Sequence, residues 1–413
     1  MGQMPVAIVL GGIFPHAEVL RKLRKRGYYT ILIDYFDNPV AAAEADEHSN
    51  ESALDYDAVL KIAGGRNASL ILSPCLDQQM VIAMQVSEKL GLPHPFSSET
   101  ALKVTNKKLM KELMMKNGIS TARYYQVGRN TDPAVLDLEY PVIVKPTDSC
   151  GAAGVRRLED PSALKEAVDF ACGWSRTGEA VVEEFKTGVE VSAYTIIKDH
   201  KAVLITTQRR ISIVDDRTVK CYAAVNPAGI SEKIRERLED LATSLAAAFD
   251  LDNTPLFFQA VISGDDIYVI EFSPRIGGGM CYKTMELNAG YDILEASIDS
   301  YLQKEVPYPM PKREHTTYLV HQILGVDGIF DHLEGHEELI DKGLITELFF
   351  HKTKGMRVST EKASSARVAV ILMEVKQGED ATQKLKDIMS KIRVIDPQGC
   401  DIMDRSLLFK LDT

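Results

Sequence analysis

The sequence contains no apolar run approaching the roughly 18 residues of a membrane helix, so it predicts no membrane partner. Cysteine is scarce: six in 413 residues, at 75, 150, 172, 221, 281 and 400, and never as C-x-x-C. That scatter argues against a structural zinc site or a disulfide framework, and a reducing cytoplasm is the expected setting. A basic excess is missing too. Lys and Arg number 48 against 59 Asp and Glu, a formal charge of −11. Nucleic acid is therefore not an expected partner, because a duplex binder needs a basic face for the phosphates. No HExxH, Walker A or G-x-G-x-x-G pattern occurs, nor any internal repeat or low-complexity linker. The apolar stretch Val6–Leu10 follows no basic segment and stops at Gly11-Gly12, so it reads as a first strand and not a signal peptide.

What remains is an ordinary globular composition, 45% apolar and 26% charged, long enough for two to four domains. Residues 5–105 alternate strands (6–10, 30–34, 69–72) with helices (16–26, 56–63, 78–90), and Gly27 and Gly91 end the first and last helix. This βαβαβ rhythm predicts a parallel sheet with helices on both faces. A helix is expected over 106–117, mostly strands and turns over 140–200, a long helix over 230–249 and a hairpin over 256–273. Residues 315–413 mix strands, notably Arg367–Val375, with one helix over 381–392. The expected units are an α/β domain at 1–105, an α+β domain at 106–310 and a small α+β domain at 311–413.

Several residues invite chemistry. Lys145 ends an apolar strand and precedes Pro146 and the small-residue loop T-D-S-C-G-A-A-G at 147–154, whose backbone N–H groups can approach an anion. A surface turn with a solvated lysine fits equally well. Lys107 opposes the dipole of the helix it begins, which phosphate binding would explain; Lys108 is an equally placed rival. The segment V-V-E-E-F-K-T-G-V-E at 181–190 offers exposed backbone and carboxylates. The most informative stretch is 257–279, F-F-Q-A-V-I-S-G-D-D-I-Y-V-I-E-F-S-P-R-I-G-G-G. Glu271 interrupts its apolar run. A tight turn sets Gln259 opposite Ile270 or Glu271, and Ser273 shares the Glu271 face. A carboxylate buried there needs a partner, Mg²⁺ or Arg275. Asp34 ends a strand as a ribose-binding acid would, but without the glycine fingerprint. His332 and His336 are weak metal ligands on a helix broken by Gly335, and Cys150 has no evident activating base.

The order of these pieces resembles the ATP-grasp superfamily of carboxylate–amine ligases: Lys at a helix start, Lys at a strand end, a Gly-rich loop, E-E-F…G-x-E, then Q…E-x-S-P-R. The resemblance covers most of the chain. Residues 77–107, with L-G-L-P-H-P-F-S, look like the junction before the ATP-grasp domain in the carbamoyl-phosphate synthetase and biotin carboxylase branch. The last hundred residues look like the C-terminal domain of amino-acid ligases in that branch. The resemblance implies a Rossmann-like N-terminal domain, an ATP-grasp domain and a small C-terminal domain. It implies that Lys107 and Lys145 hold ATP phosphates, and that Ser149, Gly151 and Gly154 belong to a mobile loop over them. Glu183, Glu184, Phe185 and Lys186 would line the adenine site, and Glu190 would bind ribose. Gln259, Glu271 and Ser273 would ligate Mg²⁺, or Mn²⁺, with Ser273 standing where the family usually has Asn. Arg275 would stabilise the transferring phosphoryl group, and Gly277 and Gly278 would admit a substrate carboxylate.

The implied reaction is phosphorylation of a small carboxylate by ATP, then attack by an amine such as an amino acid, with release of ADP and phosphate. A homodimer is common in the family. The competing expectations are a non-catalytic ATP-binding sensor, supported by Ser273, and a nicotinamide-dependent oxidoreductase, which the missing glycine pattern disfavours.

Overall fold

The structure, a computed structural model, describes residues 4–132, 135–149, 152–214, 219–310, 316–361 and 364–406. The N-terminal unit holds a four-stranded parallel sheet in the order Glu47–Ser49, Tyr29–Ile33, Val6–Leu10, Ala68–Leu72. Val6–Leu10 is buried along its whole length, as a parallel strand covered on both faces must be. The first helix is Phe14–Lys25, starting earlier than expected because Pro15 suits a first helical turn. Gly11 makes the strand-to-helix turn at φ +103°, where a β-carbon would overlap Leu76 and His16.

A second sheet is antiparallel, in the order Tyr124–Gly128, Glu179–Glu184, Val142–Pro146, Arg156–Leu158. It is backed by the helix Leu164–Trp174, which lies where mostly strands and turns were expected. Its buried stripe, Leu164, Ala167, Val168, Ala171 and Cys172, has helical spacing but small side chains, so the signal is weak.

The largest sheet has eight strands, all paired antiparallel: Asp266–Ser273, Thr254–Ser263, Val189–Lys198, Lys201–Val214, Val219–Asn226, Thr317–Leu324, Arg367–Val375 and Glu347–Phe350. It draws strands from both the middle stretch and the last hundred residues. A continuous apolar core joins the N-terminal sheet to the helices Glu232–Phe249 and Ile293–Tyr301. A second core lies around the helix Ala381–Lys391. His332 and His336 do not share a helix: His332 lies in the strand His332–Glu334, and His336 begins the short helix His336–Asp341.

Ion pairs tie the N-terminal unit to the rest. Lys22 meets Asp292 at 2.5 Å, and Arg26 meets Asp299 at 2.6 Å. The Ile276 N–H donates to Pro74 O at 3.2 Å. The loop after Asp266–Ser273 is thereby pressed against the carboxyl end of Ala68–Leu72, the end where parallel α/β sheets collect ligands. No helix among the described residues is long and apolar enough to cross a membrane.

Candidate active site

The helix Lys107–Lys116 begins at Asn106, whose side chain accepts from the N–H groups of Lys108 at 3.0 Å and Leu109 at 3.2 Å. Asn106 therefore caps the helix and is not its first residue. Lys107 donates its ammonium to Ser149 O at 2.6 Å, and among the described residues it pairs with no carboxylate. Lys108 lies instead 4.0 Å from Glu179.

Two more lysines meet one acid. The Lys145 ammonium contacts one oxygen of Glu183, and Lys111 contacts the other at 2.8 Å. Lys111 is fully buried, donates to Thr121 Oγ1 at 2.7 Å and lies over the Tyr124 ring. Burial alone would raise the Glu183 carboxyl; the two ammonium groups outweigh it and hold the pKa at about 2. Burial lowers the Lys111 pKa, and Glu183 works against that. Lys107 lies near this pair, and the carboxylates of Glu271 and Asp77 also act on Lys111 and Lys107 respectively.

The loop after Lys145 is tied down at several points. Ser149 Oγ donates to Ala153 O at 2.8 Å. Arg176 donates its backbone N–H to the Asp148 carboxylate at 3.1 Å and its guanidinium to the Gln78 side chain. Gly154 has φ +75°, and a β-carbon there would overlap Pro146 and Trp174. Gly151 and Cys150 lie outside the described residues.

Along the segment 183–190, Phe185 sits under the Arg157 guanidinium, and its N–H donates to Pro141 O at 2.9 Å. Glu184 pairs with Lys186 at 2.8 Å, and Lys186 in turn lies over the Tyr268 ring. Glu190 is held by Arg210 Nε at 2.6 Å and Ser212 Oγ at 3.2 Å.

Gln259 stands directly opposite Glu271, with a bulge just after Gln259. Both side chains are half-buried, and among the described residues neither has a polar side-chain partner. The cation expected to pair with Glu271 goes elsewhere. Arg275 donates Nε to Asp77 Oδ1 at 2.7 Å, and its other arm reaches Asp77 Oδ2. Ser273 Oγ donates to the same carboxylate at 2.8 Å. Burial raises the Asp77 pKa, but Arg275 and Ser273 more than reverse this and leave it below the usual carboxylate range. Gly277 and Gly278 follow. A β-carbon on Gly278 would stand 3.3 Å from Cys75 O, so the chain passes close to the N-terminal unit.

The structure thus gathers Lys107, Lys145, Ser149 and Glu183 in one corner, and Gln259, Glu271, Ser273 and Arg275 along one strand and its exit. Lys111 and Asp77 were not read from the sequence. Lys111 had a signal, since it falls inside the buried stripe Met110, Lys111, Met114. Asp77 had none, because an acid opening a helix is explained by the helix dipole alone.

Residues 138–284 match the family of ATP-grasp domains. The chain carries an ATP-grasp domain. Over 108 residues it is 35% identical to a D-alanine–D-alanine ligase of Hydrogenovibrio crunogenus, covering 25% of this chain and 34% of that protein. Over 302 residues it is 21% identical to the mitochondrial arginine-specific carbamoyl phosphate synthase large chain of Schizosaccharomyces pombe, covering 70% of this chain and 26% of that one. The chain spans about a quarter to a half of the length of the curated relatives it matches. The crystal structure of an L-amino acid ligase from Bacillus licheniformis superposes with a TM-score of 0.76 at 17% identity, covering 96% of this chain and all of that one. The fold is the ATP-grasp fold.

The residues of this ATP-grasp site fit a magnesium nucleotide. Mg²⁺ takes oxygen ligands and keeps waters and phosphate oxygens around it. Gln259 and Glu271 stand opposite each other with no ion pair between Glu271 and a cation among the described residues, and the Lys111 ammonium is near enough to feel the Glu271 charge.

Proposed function

We propose that the chain is an ATP-dependent carboxylate–amine ligase, with residues 1–105 as the N-terminal domain, 106–310 as the ATP-grasp domain and 311–413 as the small C-terminal domain. The observation that carries this reading is the opposed pair Gln259–Glu271 beside Arg275, in which neither side chain makes a hydrogen bond or ion pair among the described residues. Such a pair is an oxygen site for a divalent cation next to a fixed guanidinium.

Lys107 and Lys145 hold the nucleotide phosphates, with Ser149, Gly151 and Gly154 closing over them. Glu183, Glu184, Phe185 and Lys186 border the adenine, and Glu190 faces the ribose. When bound, Mg²⁺ (or Mn²⁺, on the same oxygens) neutralises phosphate charge. Arg275 balances charge on the transferring phosphoryl group, a role in which positioning and electrostatics supply most of the catalysis. The loop tied by Gln78 and Arg176 excludes water, which protects an acyl-phosphate until an amine attacks it. Gly277 and Gly278 leave room for the substrate carboxylate at the backbone.

The test incubates the protein with ATP and Mg²⁺ against pools of small carboxylates and amines, reading ADP and inorganic phosphate, with Glu271→Ala as control. Substrate-dependent release of both, lost in the variant, supports the ligase. AMP and pyrophosphate would sink the acyl-phosphate mechanism. A second reading, a non-catalytic nucleotide sensor, draws on the metal corner. Gln259 is neutral and the Ser273 hydroxyl already serves Asp77, so Glu271 is the single charged group of that trio. Nucleotide binding with no turnover in any pool favours that reading.

A further inference from the structure

The strand Val189–Lys198 brings a second acid to the face of the large sheet that carries Gln259 and Glu271. In its pairing with the strand Thr254–Ser263, Ser192 stands opposite Gln259, which itself stands opposite Glu271. Side chains on a strand alternate, so Glu190, two residues before Ser192, shares that face and lies one step further along it. On its other side the strand Lys201–Val214 pairs Gln208 with Ser192 and Arg209 with Val191. Continuing that register sets Arg210 beside Glu190, and Ser212 follows on the same face.

Both neighbours reach the acid. Arg210 Nε donates to Glu190 Oε1 at 2.6 Å, and Ser212 Oγ donates to Oε2 at 3.2 Å. The adjacent strand thus holds the carboxylate by each of its oxygens, which fixes the plane of the group. An ionised carboxylate has about four acceptor sites, two on each oxygen. Among the described residues one site on each oxygen is used, and one on each is left. Two adjacent acceptors of this kind match a vicinal diol, whose two hydroxyls can each donate to one oxygen.

The pair is not sealed in a core, since 24% of the Arg210 side chain and 26% of the Glu190 side chain are exposed. An ion pair so open to water contributes little to stability, so stability alone is a weak reason for two groups to hold one acid. Electrostatics supplies a second reason. An unpaired carboxylate would repel the polyphosphate of a nucleotide, and the Arg210 guanidinium offsets that charge.

We infer that Arg210 and Ser212 are positioning residues that set the Glu190 carboxylate to accept both hydroxyls of a ribose, so that the chain selects ribonucleotides over deoxyribonucleotides. The inference rests on the reading that a nucleotide sugar lies at Glu190. It requires no turnover and no particular carboxylate or amine.

The test titrates the whole protein with ADP, 2′-deoxyADP and 2′,3′-dideoxyADP, each at the same Mg²⁺ concentration, and follows heat. The parent should bind ADP about tenfold more tightly than 2′-deoxyADP and about a hundredfold more tightly than dideoxyADP, because each hydrogen bond to a charged acceptor is worth about a factor of ten. Arg210→Met should weaken ADP about tenfold and leave dideoxyADP within about twofold, so the selection for ribose shrinks. Ser212→Ala should shrink it in the same direction. Arg210→Lys, which keeps the charge without the rigid donor fork, should restore part of it. An ion pair that serves only the fold would lower the melting temperature of Arg210→Met and leave the ratio of affinities where it was. Equal losses for all three nucleotides would place Arg210 at the phosphates. Either result overturns the inference, as does a parent that binds ADP and dideoxyADP alike, or neither. Should Arg210→Met not fold, Ser212→Ala decides alone. Ribose selection without turnover in any substrate pool would sink the ligase reading and leave this inference standing; turnover without ribose selection would do the reverse.

Discussion

Asp77 holds the guanidinium of Arg275 across 198 residues of sequence, with Nε 2.7 Å from Oδ1, and Ser273 donates to the same carboxylate. Asp77 belongs to the N-terminal unit and Arg275 to the exit of the strand Asp266–Ser273. The orientation of the guanidinium proposed for phosphoryl transfer is therefore set by a different part of the chain from the one that carries it. Asp77→Asn keeps the shape and removes the charge. It should cost about 3 kcal/mol in urea unfolding, because Arg275 is left buried without its counter-ion. The double variant Asp77→Asn with Arg275→Met should recover most of that stability and none of the turnover. A single variant as stable as the parent would show that Arg275 finds another partner.

Lys111 supplies the second ammonium on Glu183, so Lys111→Met tests whether that charge serves the phosphates. Glu183 would then neutralise Lys145, and MgADP should bind at least tenfold more weakly in a calorimetric titration. The pH dependence has a definite sign. The Glu183 pKa is depressed to about 2 from 4.5, so its stabilisation is complete above pH 4.5 and is lost as pH falls toward 2. Without Lys111 the depression shrinks, and the stability difference between pH 5 and pH 3 should shrink with it. An unchanged acid slope would mean that Lys145 alone holds the carboxylate.

Much of this was legible in the sequence, for reasons that differ residue by residue. Glu271 was conspicuous because a charge interrupting an apolar strand needs a reason, and a short turn then sets Gln259 opposite Ile270 or Glu271. The parallel N-terminal sheet followed from apolar runs alternating with helical stripes. Asp77 was hidden because its contacts to Arg275 and Ser273 come from chain folding over long separations, which no local pattern encodes. The helix Leu164–Trp174 was missed because Ala and Cys mark a buried face weakly.

Three histidines predict an early acid response. His16 and His321 are buried and His351 is half-buried, and loss of solvent brings their pKa values to about 3, 4 and 3 from 6.5; Arg275 adds to the effect on His16, and Arg367 and Lys352 to that on His351. Between those values and 6.5 the unfolded chain binds more protons than the folded one. Stability therefore rises with pH through this window and levels off above 6.5. At pH 5 each histidine contributes about 2 kcal/mol of destabilisation. Urea midpoints should fall steadily from pH 7 to pH 5, and His321→Gln, which removes one titrating ring, should flatten that slope. A flat profile over this range would mean that the rings are hydrated or paired in solution.

Gln259 offers the sharpest test of the metal corner, because there the charge can be raised instead of removed. Opposite Glu271 it contributes an amide oxygen and no charge, so the pair presents one negative charge to a divalent cation. If a cation binds there with the nucleotide, Gln259→Glu adds a second carboxylate at a position already facing the first. It should lower the Mg²⁺ concentration needed for half-maximal ADP binding severalfold. In the absence of Mg²⁺ the same variant should be less stable than the parent, since two carboxylates then face each other across neighbouring strands. Glu271→Gln should do the opposite on both counts. Both effects are read by melting temperature against Mg²⁺ concentration with ADP present, without any need for the substrate. A variant carrying two carboxylates that gained nothing from Mg²⁺ would place the metal elsewhere.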